Sequence, residues 1–219
     1  MSSELILYSY YRSSASYRAR IALNLKGVPY RIKPVHLLND GGEQRKPDYR
    51  SLNPMEQVPA LVHGDQVLGQ SMAIISYVDD NFDGRQLFPK TALERANCLQ
   101  ICETVNSGIQ PLQNLSVLQY LESEFGFTAE QKTIWIRKWV LKGYAALEKT
   151  LEKTSGEFCL GNSLTAADAF LVPQVFSGRR FGADSTDFPY IQRIYNTCIE
   201  HEAFVKAAPE NQPDAPKST

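Results

Sequence analysis

The chain has 219 residues, which is enough for one large domain or two small domains with a buried core. Its formal net charge of −1 gives no electrostatic reason to expect nucleic acid or an anionic membrane as a partner, and no apolar run approaches the ~20 residues of a membrane span. The first residues lack the basic head and apolar middle of a signal peptide, so we expect a cytoplasmic protein.

The cysteine and histidine positions argue against a metal centre. The four cysteines have neither CxxC spacing nor the spacing of a disulfide framework. Cys98 and Cys102 are one helical turn apart, but no histidine is near them, and we interpret them as buried helix thiols. The three histidines are scattered, so we predict neither a zinc site nor a histidine-based catalytic triad.

The first part of the chain alternates strand and helix patterns, which predicts a small mixed sheet with helices on its faces. The predicted β-α-β-(α)-β-β-α order consists of strand Leu5–Tyr8, helix Ser14–Lys26, strand Tyr30–Val35, a polar loop with one short helix over Leu38–Arg50, strands Ala60–His63 and Gln66–Leu68 joined by Gly64-Asp65, and a helix from Ser71.

Strand patterns stop after residue 82, and only helical patterns follow. We therefore predict an α/β domain over residues 1–82, a linker over 83–91, an all-helical domain over 92–208 and an extended or disordered tail over 209–219. The predicted helices of the second domain are Ala92–Ser107, Ile109–Phe125, Ala129 to about Lys153, Ala166–Arg180 and Phe188–His201. Asp168 stands three residues after Thr165, which is typical of a capping box rather than of a catalytic acid.

Three places in the first domain suit an anionic or peptidic group. Serines at positions 13, 14 and 16 stand where the first strand turns into a helix, and helix N-termini carry a partial positive charge. Val58 precedes a proline and is expected to be extended, with its backbone available to an added peptide. Gln70-Ser71 opens a second helix. Each feature alone is typical of an ordinary cap or turn, but together they indicate a site for a short peptide acid.

Longer stretches of the chain resemble one family. Residues Tyr8–Leu23, Leu52–Pro59 and Gly108–Leu118 are similar to motifs of the zeta class of glutathione transferases, the maleylacetoacetate isomerases of tyrosine and phenylalanine catabolism. Gln70–Ile74 and Leu164–Asp168 are similar to motifs of glutathione transferases in general. The resemblance runs from about Leu5 to Phe204 and implies a thioredoxin-like first domain, an all-helical second domain, and a homodimer.

The resemblance also implies a glutathione site and its residues. Ser13 and Ser14 would face the sulfur as the catalytic pair, Val58 would pair with the cysteinyl backbone before a cis proline, and Gln44 would lie near the glycyl end. The full set of glutathione-binding residues that it implies is Ser13, Ser14, Ala15, Ser16, Tyr17, Arg18, Gln44, Val58, Gln70, Ser71, Gln110, Asn114, Leu115 and Ser116.

The activity implied is a glutathione-dependent cis–trans isomerisation of maleylacetoacetate to fumarylacetoacetate. The substrate is a conjugated ene-dione with two carboxylates, and Arg180 falls where the family has an arginine for such a carboxylate; Arg12 is close enough to the serines to assist. Alternatives are a maleylpyruvate isomerase, a transferase acting on α-halo acids or other electrophiles, and a non-catalytic binding module.

One departure from the family pattern bears on these alternatives. The family usually has Ser-Ser-Cys-x-Trp, whereas this chain has Ala15 in place of the cysteine and Tyr17 in place of the tryptophan. Tyr17 keeps an aromatic ring. Because glutathione supplies the nucleophilic sulfur in the implied reaction, we expect isomerisation to survive without a thiol at position 15.

Overall fold

The computed structural model describes residues 4–216 of the chain. These residues form two compact units. The first contains the described residues up to Leu87 together with those from His201 onward, and the second contains Phe88–Glu200. Among the described residues, no helix is long and apolar enough to cross a membrane.

The first unit is built on a four-stranded mixed sheet with the strand order β2-β1-β3-β4. β1 is parallel to β2 and antiparallel to β3, and β3 is antiparallel to β4. This is the predicted thioredoxin-like arrangement. Its elements are β1 (Leu5–Ser9), α1 (Ser14–Lys26), β2 (Arg31–Pro34), 3₁₀ turns at Asn39–Gly41 and Glu43–Arg45, α2 (Pro47–Leu52), β3 (Ala60–His63), β4 (Gln66–Gly69) and α3 (Ser71–Asn81).

Local signals fix the bounds of α1. The Ser13 hydroxyl accepts a hydrogen bond from the Ser16 N–H and caps the first turn. Gly27 ends the helix with φ +68°, a left-handed conformation that glycine adopts without strain, and its N–H donates to carbonyls of the last turn. Between these caps, Ala19 and Leu23 pack with Leu7 and Leu61 of the sheet and Ile74 of α3 in one buried cluster.

The second unit is all-helical, as predicted. It contains α4 (Ala92–Asn106), a 3₁₀ turn at Gln110–Gln113, α5 (Leu115–Phe125), α6 (Ala129–Thr154), α7 (Ala166–Arg179) and α8 (Pro189–Ile199). Cys98 and Cys102 are buried on α4, which agrees with their interpretation as core thiols.

Asp168 is a structural cap, as its spacing indicates. It is fully buried, and its carboxylate accepts hydrogen bonds from the N–H groups of Cys159 and Thr165, both at 2.8 Å, and from the Thr165 hydroxyl at 3.2 Å. Burial raises the pKa of this carboxyl, while the hydrogen bonds act in the opposite direction.

The C-terminal part of the chain differs from the sequence prediction. The predicted helix over Phe188–His201 ends at Ile199, and α9 (Glu202–Ala207) then packs against α1 in the first unit instead of in the helical domain. The tail is not extended up to residue 216: Pro209–Asn211 forms a 3₁₀ turn, and buried Gln212 donates to the carbonyls of Lys206 and Ala208. Residues 217–219 lie outside the described residues.

A buried ion pair ties α1 to α3. The Lys26 ammonium lies 3.2 Å from the Asp79 carboxylate, and both side chains are almost fully buried, at 3% and 4% exposed. The same carboxylate oxygen accepts a hydrogen bond from the N–H of Leu87, the last residue of the first unit before Phe88. Removing one partner would leave a buried charge without its counter-charge.

We therefore expect Lys26→Met to lower the free energy of unfolding by about 3–5 kcal/mol, measured by urea denaturation. The matched control is Glu4→Gln, which breaks the exposed Arg31–Glu4 pair with side chains 56% and 61% exposed. That change is expected to cost less than about 1 kcal/mol. Equal losses in the two variants would contradict the importance of burial for the Lys26–Asp79 pair.

Candidate active site

The strand register brings separate stretches of the chain to one edge of the sheet. Tyr8 of β1 pairs with Ala60 of β3, and Ala60 pairs with Gly69 of β4. Because β3 runs opposite to both neighbours, its amino end lies beside the carboxyl ends of β1 and β4. The loop before α1, the Val58–Pro59 peptide and Gln70 all adjoin this edge.

The N-terminus of α1 carries the two candidate catalytic serines. Ser13 is the N-cap; its N–H donates to the Tyr10 carbonyl at 3.0 Å, and its hydroxyl oxygen accepts from the Ser16 N–H at 3.2 Å. Ser14 is the first helical residue. The N–H groups of Ser14 and Ala15 have no carbonyl partner within the helix, and the first turn contains no acidic residue. This end of α1 can therefore stabilise an anion.

The N-terminus of α3 is a second site of this kind. Gln70 precedes the helix with φ +65°, a conformation that costs a non-glycine residue free energy and is common at binding sites. No side chain caps the helix, and its first turn has no acidic residue. Fully buried Arg18 donates from its guanidinium to the Ser71 hydroxyl at 3.3 Å, which places a positive charge behind this turn.

Val58 offers its backbone at the same edge. The peptide bond to Pro59 is cis, as the resemblance implies. Neither the N–H nor the carbonyl of Val58 is hydrogen-bonded within residues 4–216. The preceding carbonyl, that of Gln57, accepts from the Tyr49 hydroxyl at 2.6 Å and from the Asn53 side-chain amide at 2.7 Å. This segment is therefore held firmly while Val58 stays available to a ligand backbone.

Gln44 lies in the 3₁₀ turn Glu43–Arg45 and is 5% exposed. Its side-chain N–H donates to the Leu37 carbonyl at 3.4 Å, while its side-chain oxygen has no hydrogen-bond partner in the described part of the chain. Gly42 has φ +103°, and a Cβ atom there would lie 2.5 Å from the Gln44 amide nitrogen. Glycine at position 42 thus makes room for the Gln44 side chain.

Three predicted glutathione-binding residues of α1 have buried side chains: Ser16, Tyr17 and Arg18. The Tyr17 hydroxyl donates to the Phe204 carbonyl at 3.5 Å, so Tyr17 packs against α9. Side chains buried in this way can support a ligand site from behind. Ala15, by contrast, is only half-buried on the first turn.

The predicted residues of the second unit cluster around the start of α5. Gln110 opens the 3₁₀ turn before it, and Asn114 is the N-cap. The Asn114 side-chain oxygen accepts from the Ser116 N–H at 3.1 Å and from the Ser116 hydroxyl at 3.0 Å. Asn114 and Ser116 therefore serve as a helix cap in this unit, with Leu115 between them.

Arg179 is the last residue of α7 and Arg180 follows it as the C-cap; both are exposed, but their surroundings differ. The Arg179 guanidinium stacks 4.1 Å from the Tyr195 ring centroid and donates to the Gln192 side chain at 3.2 Å. Arg180 is exposed, with its guanidinium 5.3 Å from the Phe181 ring centroid. In the first unit, the Arg12 guanidinium lies 5.7 Å from the ring centroid of Tyr11.

Comparisons with known proteins identify the family of the chain. The family model for the N-terminal domain of glutathione S-transferases matches residues 3–80. A probable maleylacetoacetate isomerase of Vibrio cholerae is 44% identical over 211 residues, which cover 96% of this chain and 98% of that protein. The chain belongs to the zeta class of glutathione transferases. This family contains both maleylacetoacetate and maleylpyruvate isomerases.

Solved structures of zeta-class and related proteins have the same fold. A holo structure of a bacterial zeta-class maleylpyruvate isomerase superposes with a TM-score of 0.93 at 40% identity, covering 96% of this chain and 100% of that one. Maleylacetoacetate isomerase of Anaeromyxobacter dehalogenans with bound glutathione has a TM-score of 0.87 at 38% identity, covering 99% and 100%. Another structure of that enzyme holds dicarboxyethyl glutathione and citrate in its active site.

The two serines of the zeta-class motif differ in structural role, which predicts a difference in stability. Ser13→Ala removes the N-cap of α1 and is expected to lower the free energy of unfolding by about 1 kcal/mol. Ser14→Ala removes a hydroxyl with no hydrogen bond among the described residues, and we expect less than half that loss. Thermal denaturation of both variants checks this, and a larger loss in Ser14→Ala would contradict the cap assignment.

Proposed function

We propose that the chain is a glutathione-dependent isomerase that converts maleylacetoacetate to fumarylacetoacetate. The observation that carries the proposal is the juxtaposition of the Ser13–Ser14 turn with the unpaired backbone of Val58 and the start of α3 at one sheet edge. The names of its zeta-class relatives support the same activity.

The residues at this edge fit glutathione. The unpaired N–H and carbonyl of Val58 suit the cysteinyl backbone. The start of α3, with buried Arg18 behind Ser71, suits the γ-glutamyl carboxylate, and the unpartnered oxygen of Gln44 suits an N–H near the glycyl end. When bound, glutathione supplies a thiolate that adds reversibly to the conjugated double bond, so that the bond can rotate before the thiolate leaves.

The first task of the chain is to keep that sulfur ionised at neutral pH. A free thiol has a pKa of about 8.5. The hydroxyls of Ser13 and Ser14 can donate hydrogen bonds to the sulfur anion, and the first-turn N–H groups of α1 add a partial positive charge. No histidine is needed as a base, because hydrogen bonding to the charged form lowers the pKa directly.

The second task is to hold the negative charges of the substrate. A dicarboxylic ene-dione carries a carboxylate at each end, and negative charge develops on its carbonyl oxygen during addition. We assign Arg180 to a carboxylate, as the family resemblance implies. Arg179 is exposed as well, but its guanidinium is stacked on Tyr195 and donates to Gln192. Arg12, two residues from Ser14, is the candidate for a second anionic group.

Maleylpyruvate is the second candidate substrate, and the structural likeness to a zeta-class maleylpyruvate isomerase supports it. Parallel turnover measurements on maleylacetoacetate, maleylpyruvate and an α-halo acid would rank the three chemistries. A non-catalytic binding role would instead show as retention on glutathione resin without turnover of any of them. The homodimer and the cytoplasmic location stay predictions from the resemblance and the sequence.

The proposal predicts that isomerisation of maleylacetoacetate, followed by absorbance, requires added glutathione. The Ser13→Ala, Ser14→Ala double variant should remain folded and lose turnover by roughly 10²–10³-fold, because the sulfur anion loses its hydroxyl donors. Circular dichroism controls for folding. Turnover at the wild-type rate without glutathione, or in the double variant, would show that the chain does not work through a stabilised thiolate.

Arg180→Ala is expected to raise the KM for the dicarboxylic substrate about tenfold or more, with a smaller change in kcat, because the contact is to a charge already present before reaction. Arg179→Ala is the matched control: it removes the neighbouring cation, which is engaged with Tyr195 and Gln192, and should lower thermal stability with little effect on KM. The reverse split for Arg180, a loss mainly in kcat, would reassign it to the charge that develops during addition.

A further inference from the structure

A second arginine of α1, Arg20, is fully buried and points at the loop between β1 and α1. Its Nη1 donates to the Ser9 hydroxyl at 3.0 Å and to the Tyr10 carbonyl at 3.4 Å, and its Nη2 donates to the Tyr11 carbonyl at 3.0 Å. A single guanidinium thus fixes three consecutive residues that lead into the serine turn.

The connection to the candidate catalytic serines is short. The Tyr10 carbonyl accepts from Arg20 and also from the Ser13 N–H at 3.0 Å. The Tyr10 ring lies in one buried cluster with Val58. Displacing the Tyr10 peptide would therefore move Ser13 and would also remove packing support from Val58.

The C-terminal segment completes this arrangement. The Arg20 Nε donates to the carbonyl of Ala207 in α9 at 2.9 Å. Beyond it, the Asp214 carboxylate accepts from the Tyr11 N–H at 2.8 Å, so both polar groups of the Tyr11 backbone are held. Asp214, which lies in the segment predicted to be an extended or disordered tail, therefore contacts the loop that carries the serines.

A guanidinium in this position is costly to bury. No carboxylate in the described part of the chain lies within ion-pair distance of Arg20. Burial lowers the pKa of Arg20 to about 10, with Tyr30, Tyr17, Asp214 and Glu210 acting in the opposite direction. An apolar residue would fill the same core position without that cost, but it would leave the carbonyls of Tyr11 and Ala207 without the Arg20 donor and the Tyr10 carbonyl with the Ser13 N–H alone.

We propose that Arg20 is a positioning residue for the thiolate site, acting through the Tyr10 and Tyr11 peptides, and that the C-terminal segment containing Ala207 and Asp214 is the other half of this clamp. The proposal rests on the proposed function, since it concerns how the serine turn is oriented toward the glutathione sulfur. If so, Arg20 and the C-terminal segment affect the pKa of the bound thiol and not only the stability of the fold.

The test is a pH titration of the thiolate absorbance of glutathione bound to the full chain, together with the pH profile of kcat. In Arg20→Lys, which keeps the charge but loses the forked donors, we expect the bound thiol to titrate about one unit higher. The kcat at pH 7 should then fall about three- to tenfold, since one pKa unit lowers the ionised fraction at most tenfold. The KM for the dicarboxylic substrate should change less than threefold.

The matched control is Asn24→Ala, one helical turn further along α1. Asn24 donates to the carbonyl of Ala203 in the same C-terminal segment at 3.0 Å, but it makes no contact with the serine loop. It should lower thermal stability and leave the titration unchanged. If Arg20→Lys behaves like Asn24→Ala, with a lower Tm and a wild-type titration, the proposal is wrong.

A second pair of variants keeps the test decisive if Arg20→Lys does not fold. Asp214→Ala removes the acceptor of the Tyr11 N–H at a half-buried position and should also raise the thiol titration, whereas Asp214→Asn retains an acceptor oxygen and should restore it. A wild-type titration in Asp214→Ala would overturn the proposal. A wild-type protein whose bound glutathione titrates like free glutathione would overturn the proposed function as well, which distinguishes the two failures.

Discussion

The site depends on how β1 pairs with its two neighbours, parallel to β2 on one side and antiparallel to β3 on the other. β3 must lie antiparallel to β1 with Leu61 opposite Leu7, because both side chains are fully buried in the core of the first unit. A slip of one residue would turn Leu61 to the other face of the sheet. The same register fixes the position of Val58, three residues before Leu61. Through the pairing of Ala60 with Gly69 it also fixes the position of Gln70, which follows β4.

Elements with strong local signals could be predicted from the sequence. Ser13 and Gly27 bound α1, Gly64-Asp65 marks the β3–β4 turn, and each acts within a few residues of the chain. The C-terminal segment has no comparable signal: its prolines and polar residues are typical of an extended tail. Its contacts with the rest of the first unit are distant in sequence: the Tyr11 N–H donates to Asp214, 203 positions further along the chain.

The parts of the candidate site with local sequence signals could also be predicted, and the other parts could not. Serines before an apolar helical pattern and a valine before proline indicate a helix N-terminus and an extended backbone, whereas Gln44 was reached only through the resemblance to the family. The buried arginines could not be assigned from the residues alone, because a charged side chain on a helix is usually solvated. Arg18 and Arg20 are buried because their acceptors, Ser71 and Ala207, come from distant parts of the chain.

The charge distribution of the first unit supports the proposal that serines act at this site without a general base. Two helix N-termini at the sheet edge have no acidic residue in their first turns, and a buried guanidinium lies behind each: Arg20 behind the loop before α1 and Arg18 behind Ser71. Because these groups are all positive, they do not stabilise one another in the absence of an anion. A peptide with a carboxylate and a sulfur anion places negative charge beside these positive groups. The same positive electrostatic potential therefore favours both peptide binding and ionisation of the thiol. A general base would add nothing to an ionisation that the surrounding backbone and hydroxyls already favour.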